Sequence, residues 1–123
     1  MNNAENGGNR KFTRVLYLAD GIISHNNKEY KVCILDLSMR GVLIVRDEDM
    51  EIDKEGIYTV EVIIKDDNTE NVTFEARIAH LTDDAIGLNL TEIELNSFDT
   101  LKKIVTLNSQ DPERIIDEMI RNL

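Results

Sequence analysis

The sequence holds a single cysteine, Cys33, so an internal disulfide is excluded. Two histidines and one cysteine, with no ligand-like spacing between them, make a poor metal set. No apolar run approaches the length of a membrane span, and the N-terminus is polar where a secretory signal would need an apolar stretch. A cytoplasmic protein with no membrane partner is therefore expected. Basic residues are scarce, with 14 Lys and Arg against 24 Asp and Glu and a formal net charge of -10. Such a surface does not suit general binding of DNA or RNA, which needs many phosphate contacts. Nothing resembles the G-x-S-x-G turn that exposes a hydrolase nucleophile. Asp36 and Ser38 stand only two residues apart, which leaves no reasonable place for a histidine between them. No internal repeat and no linker divides the chain, and 123 residues suit one domain.

One local absence runs against the whole. Residues 6–19 contain no Asp or Glu, and Arg10, Lys11 and Arg14 all lie in that gap, within "NRKFTR". Ahead of it, residues 1–9 contain four Asn and two Gly and no apolar period, as expected of a flexible N-terminal tail. As a bare charge run, the basic stretch would read as a solubilising tail.

From Val15 onward the pattern is that of strands. "VLYLADGIISH" and "KEYKVCILDLS" flank Asn26-Asn27, a pair that tolerates positive φ and suits a tight hairpin turn. "GVLIV" ends at the acidic stretch "RDEDMEIDKEG", expected to be solvated. "IYTVEVIIK", "VTFEARIAHL" and "AIGLNL" follow, separated by "DDNTEN" and Thr82-Asp83-Asp84. About six strands with short turns favour a small antiparallel barrel or sandwich. Cys33, inside the apolar run "VCIL", is expected to be a small buried hydrophobe. His25, beside the Asn turn, is expected on the surface.

The period then changes. In "NSFDTLKKIVTLN", Phe98, Leu101, Ile104 and Val105 share a helical face, with Asn96 or Ser97 as the expected cap. A second helix is signalled by Asp111 as cap, Pro112 at the first position and Glu113 in the first turn. Its stripe of Ile115, Ile116, Met119, Ile120 and Leu123 is expected to pack on the barrel. Helices that cover the barrel favour a monomer.

The second informative stretch is "DLSMRG", residues 36–41, which joins two strand runs. In an extended chain Asp36 and Ser38 point the same way, and Gly41 permits positive φ or a close backbone approach. Read by itself, it is an ordinary turn. Arg10-x-x-x-Arg14 followed by Asp36-x-Ser38-x-x-Gly41 resembles the paired RxxxR and (D/N)xSxxG motifs of the PilZ domain family. "GVLIV", "IGLNLTEIEL" and the closing "LKKIVTLNSQDPERIIDEMIRNL" are similar to the stand-alone members, so the likeness covers residues 10–123. It implies a mainly β fold: a six-stranded antiparallel barrel over about residues 10–93, with C-terminal α-helices over about residues 96–123. It also implies a non-catalytic receptor for cyclic di-GMP, without a cofactor, acting on an unidentified downstream protein. A module that only bridges proteins is the alternative.

The implied ligand carries two phosphodiesters and two guanines. An Arg fork can grip phosphate oxygens or the O6/N7 edge of guanine, which suits Arg10 and Arg14. Lys11, where many members have Arg, offers a point charge. The Asp36 carboxylate suits the N1–H and N2–H2 donors of guanine. Ser38 either donates to a phosphate or braces the turn, and Gly41 keeps space for the ligand. Arg40 lies within reach of a phosphate, and His80 falls where some members offer an aromatic ring. Arg77, in the same strand as His80, is a secondary candidate. An arm that is mobile when empty and folds over the ligand is expected.

Overall fold

The computed structural model describes residues 12–121. Six strands make up its first part: β1 (Val15–His25), β2 (Lys28–Ser38), β3 (Gly41–Val45), β4 (Tyr58–Val62), β5 (Val72–Leu81) and β6 (Ala85–Ile93). All neighbours run antiparallel. The order β1-β2-β3-β6-β5-β4 closes on itself, because β1 pairs with both β2 and β4. Two helices follow, α1 (Leu95–Asn108) and α2 (Pro112–Arg121).

Alternation in the sequence becomes alternation in burial. In β4, Tyr58, Val60 and Val62 are buried; in β5, Val72, Phe74 and Ala76 are, with Thr73 exposed between the first two. These meet Ile23, Ile34, Leu37, Ile44, Ile86 and Leu88 in the barrel interior. Each such side chain removed from water contributes roughly 1.5–3 kcal/mol. Asn26 and Asn27, with φ of 52° and 65°, form the β1–β2 turn as their tolerance of positive φ anticipates.

The same alternation corrects the reading of Cys33. Val32 and Ile34 are buried, so the residue between them must face outward, and Cys33 is exposed. β4 is shorter than the run "IYTVEVIIK" suggests. Beyond Val62 the ladder gives way to other partners: the Ile63 N–H donates to the Asp20 carbonyl at 3.0 Å. The Ile64 N–H donates to the Asn71 side chain at 2.9 Å.

α1 starts one to two residues before the expected cap. Glu94 occupies the cap position without a side-chain hydrogen bond. The Ser97 hydroxyl instead accepts the Thr73 N–H of β5 at 3.0 Å, tying helix to sheet. Leu101, Ile104 and Val105 bury the expected face. α2 begins as anticipated, with the Asp111 carboxylate accepting the Arg114 N–H at 3.2 Å. Its stripe divides: Ile115 is buried and Met119 half-buried, whereas Ile116 and Ile120 are exposed. Leu123 lies outside the described residues.

The acidic stretch between β3 and β4 is fastened rather than merely solvated. Met50 inserts into the core. Lys28 pairs with Glu51, and the Arg77 guanidinium donates to the Glu55 carbonyl at 2.9 Å. His25 is part of this clamp and not plain surface: its Nδ1–H donates to the Ile57 carbonyl at 3.0 Å, and Nε2 lies 3.1 Å from Asp53. The ring stacks on Tyr58 with centroids 4.5 Å apart.

The Tyr58 hydroxyl accepts the Asp53 N–H at 2.8 Å. Burial pushes its phenol above the ordinary value. The folded protein then keeps a proton that the unfolded chain gives up, so this contribution is intact below about pH 10 and lost as pH rises further. Urea midpoints measured from pH 8 to 11 should fall more steeply for wild type than for Tyr58→Phe. Parallel curves would show that the buried phenol does not drive the alkaline loss.

Candidate binding cleft at the barrel rim

A cleft of about 280 Å³ opens at the rim where β1 starts and β2 ends. Arg14 and Phe12, just before β1, form one side. Asp36 and Ser38 enter from β2, Arg40 from the turn, and Gly41 and Val42 from β3. β5 supplies His80, and β6 supplies Gly87, Leu88 and Asn89. Arg14 and Arg40 give the lining two fixed cations against one carboxylate, Asp36. In a protein of net charge -10, this is a local reversal of sign.

β-Bulges aim the polar side chains. In β2 the pairing jumps between Ile34 and Asp36, so Leu35 is an extra residue opposite β3. Without it, the alternation that buries Ile34 would carry Asp36 into the core. With it, Leu37 is buried and Asp36 turns to the cleft together with Ser38. A second bulge in β1, between Leu16 and Ala19, lies beside the same carboxylate, because Leu16 pairs with Asp36. A third, in β5 between Ile78 and His80, places His80 opposite Gly87. A Cβ on Gly87 would stand 3.4 Å from His80 Cβ and 3.6 Å from its ring, so the bare backbone leaves the imidazole its seat.

Ser38 braces the turn. Its hydroxyl oxygen accepts the N–H groups of Arg40 and Gly41 at 3.0 and 3.1 Å. The hydroxyl proton is left to bond elsewhere. Gly41 does not use positive φ. Its missing side chain serves the sheet first, since a Cβ there would overlap the Leu88 carbonyl oxygen of β6. The Arg40 carbonyl accepts the Leu90 N–H at 2.6 Å, fastening the turn to β6 while the Arg40 side chain stays exposed.

The cleft thus gathers Arg14, Asp36, Ser38, Arg40, Gly41 and His80. Arg10 and Lys11 lie outside the described residues. Arg77 does not line the cleft; its guanidinium is spent on the acidic stretch. Sequence reasoning missed Phe12, Gly87 and Asn89. Asn89 pairs across the ladder with Gly41, a juxtaposition that only the β3–β6 register creates. Among the described residues no cluster of His, Cys, Asp and Glu could hold a metal ion, and no helix is long and apolar enough to cross a membrane.

The family model of the PilZ domain matches residues 8–107. The chain belongs to the PilZ domain family. Its fold is also that of solved PilZ proteins. The PilZ domain with c-di-GMP of YcgR from Escherichia coli superimposes with a TM-score of 0.68 at 12% identity, covering 93% of this chain and 98% of that one. The Bacillus subtilis inhibitor of motility, MotI/DgrA, gives 0.67 at 14% identity over 78% of this chain. This PilZ chain spans only about half of that protein, 48% of its length. The PlzA protein of Borreliella burgdorferi, in complex with c-di-GMP, gives 0.59 at 17% identity, covering 84% of this chain and 44% of that one.

Two motif residues carry structural duties that do not need a ligand. Ser38→Ala leaves the buried Gly41 N–H without its acceptor, and should cost about 1–3 kcal/mol. Gly41→Ala forces the β3 and β6 backbones apart, and should cost at least the roughly 1–3 kcal/mol of an overpacked core. Urea unfolding of ligand-free protein measures both. Stabilities within 0.5 kcal/mol of wild type, about the ordinary scatter of surface substitutions, would contradict these assignments.

Proposed function

We propose that this PilZ protein is a non-catalytic receptor for cyclic di-GMP, taken up at the rim cleft. The observation that carries the reading is the convergence of Arg14, Asp36, Ser38, Arg40 and His80, drawn from separate segments, on one concave surface. Membership of the family and the c-di-GMP complexes of the YcgR and PlzA proteins support it.

The chemistry follows from the side chains. The Arg14 guanidinium grips a phosphodiester or the O6/N7 edge of a guanine, and Arg40 adds a second fixed charge. Asp36 accepts from the N1–H and N2–H2 groups of guanine. The His80 ring, exposed over Gly87, offers a face for the base to stack on. A volume of about 280 Å³ stands at the lower edge of ligand sites, roughly 300–1,000 Å³. Arg10 and Lys11, one and two residues before Phe12, would complete the enclosure as the N-terminal arm orders over the bound ligand. That ordering would alter a surface read by a downstream protein in the cytoplasm. The receptor acts as a monomer and leaves its ligand chemically unchanged.

Calorimetric titration with cyclic di-GMP tests the reading. Arg10→Ala and Arg14→Ala should each weaken binding by about 1.5–3 kcal/mol, the worth of a hydrogen bond to a charged group. That is roughly 10- to 150-fold in affinity. No binding by wild type would favour a PilZ module that only bridges proteins. Unchanged affinity in both variants would place the ligand elsewhere.

A further inference from the structure

The Arg14 side of the cleft is held from the far end of the chain. Thr13, between the two cleft residues Phe12 and Arg14, donates its backbone N–H to Glu118 Oε1 at 2.8 Å. Its hydroxyl donates to Oε2 of the same carboxylate at 2.5 Å. Glu118 lies on α2, 105 residues away in sequence. Its side chain is only 14% exposed, and Arg114, one turn earlier, sets its guanidinium 3.4 Å from Oε2. α2 is itself anchored by the buried Ile115. Phe12 packs against the core, so the chain leading to Arg14 is held by an apolar contact at Phe12 and a two-point hydrogen bond at Thr13.

We infer that Glu118 is a positioning residue for the nucleotide cleft, and that through it the docking of α2 is coupled to ligand binding. The inference rests on the receptor reading for its ligand but on the Thr13–Glu118 contact for its mechanism. The held conformation already presents Arg14 to the cleft, as binding there requires. Residues 12–14, held beforehand, lose less freedom when ligand arrives, which raises affinity; the ordering on binding proposed above is confined to the arm ahead of Phe12. The carboxylate saturates two donors of Thr13 and faces Arg114, so little of its charge is left to repel an anionic ligand. Linkage makes the effect reciprocal: a ligand that favours the held segment must also favour the docked helix.

The experiment combines amide hydrogen exchange of ligand-free protein with cyclic di-GMP titration, for wild type, Glu118→Ala, Thr13→Val and the double variant. Glu113→Ala, on the exposed first turn of α2, serves as control. The Thr13 and Arg14 amides should exchange faster without the carboxylate. Affinity should fall on the order of tenfold for Glu118→Ala, within the range usual for coupled sites, and less for Thr13→Val, which keeps the backbone bond. The double variant should bind no more weakly than Glu118→Ala alone. Ligand should slow exchange along α2 in wild type and not in Glu118→Ala. Thr13→Val, which keeps the shape of the side chain, carries the test if Glu118→Ala does not fold. Unchanged Thr13 exchange overturns the inference whether or not ligand binds. Faster exchange with unchanged affinity overturns the positioning role and leaves the receptor reading standing. Failure of wild type to bind overturns the receptor reading, while the exchange data still report on the contact.

Discussion

The constraint on which fold and cleft both depend is the meeting of two backbones at Gly41. There β3 lies so near β6 that any side chain on Gly41 would strike the Leu88 carbonyl. The β3–β6 ladder is one of the two, with β1–β4, that join the first three strands to the last three, so closure of the barrel needs this contact. It also sets the floor of the cleft, because Gly41, Leu88 and Asn89 all line it. The Ser38 hydroxyl holds the approach to Gly41 from the other side. Fold and site therefore share residues here, and loss of Ser38 or Gly41 tests both at once.

Around that floor, the polar groups owe their direction to broken register. A closed barrel of this size fills its interior with side chains and has no interior place for a carboxylate or an imidazole. Extra residues near Asp36 and His80 turn both out of the alternation that would bury them. A bulge weakens a ladder locally but re-aims a side chain without adding a loop. Three of the bulges border the cleft residues Asp36 and His80, and the far end of β1 is fastened by His25, Asp53 and Tyr58. The acidic stretch is thereby fastened along its length, by His25 at Asp53 and by Arg77 at the Glu55 carbonyl.

Much of this was legible beforehand because it follows from short-range pattern. Alternation marked β4 and β5, paired asparagines marked the first turn, and Asp111-Pro112 marked α2. The two motifs named Arg14, Asp36, Ser38 and Gly41, and the turn between the strands offered Arg40; the folded chain brings all five to one cleft. What escaped depends on register or on distant partners. Cys33 looked buried because an apolar run hides its own alternation. His25 looked superficial because its partners, Asp53 and Ile57, are set by how the acidic stretch folds back. Asn89 joins the cleft only through cross-strand pairing. Gly41 looked like space for a ligand, and its first use is space for another strand. Thr13 and Glu118 carry no local signal of their contact across the length of the chain.

The central claim is that one rim of this PilZ barrel is a nucleotide site while the rest of its surface is not. The most direct measurement is a backbone amide chemical-shift titration with cyclic di-GMP. Saturable shifts should concentrate at Arg14, Ser38, Arg40, Gly41, Gly87 and Asn89. The outer face near Cys33 and Asp49 should stay silent. Shifts centred on that outer face, or no saturable shift at the rim, would contradict the account.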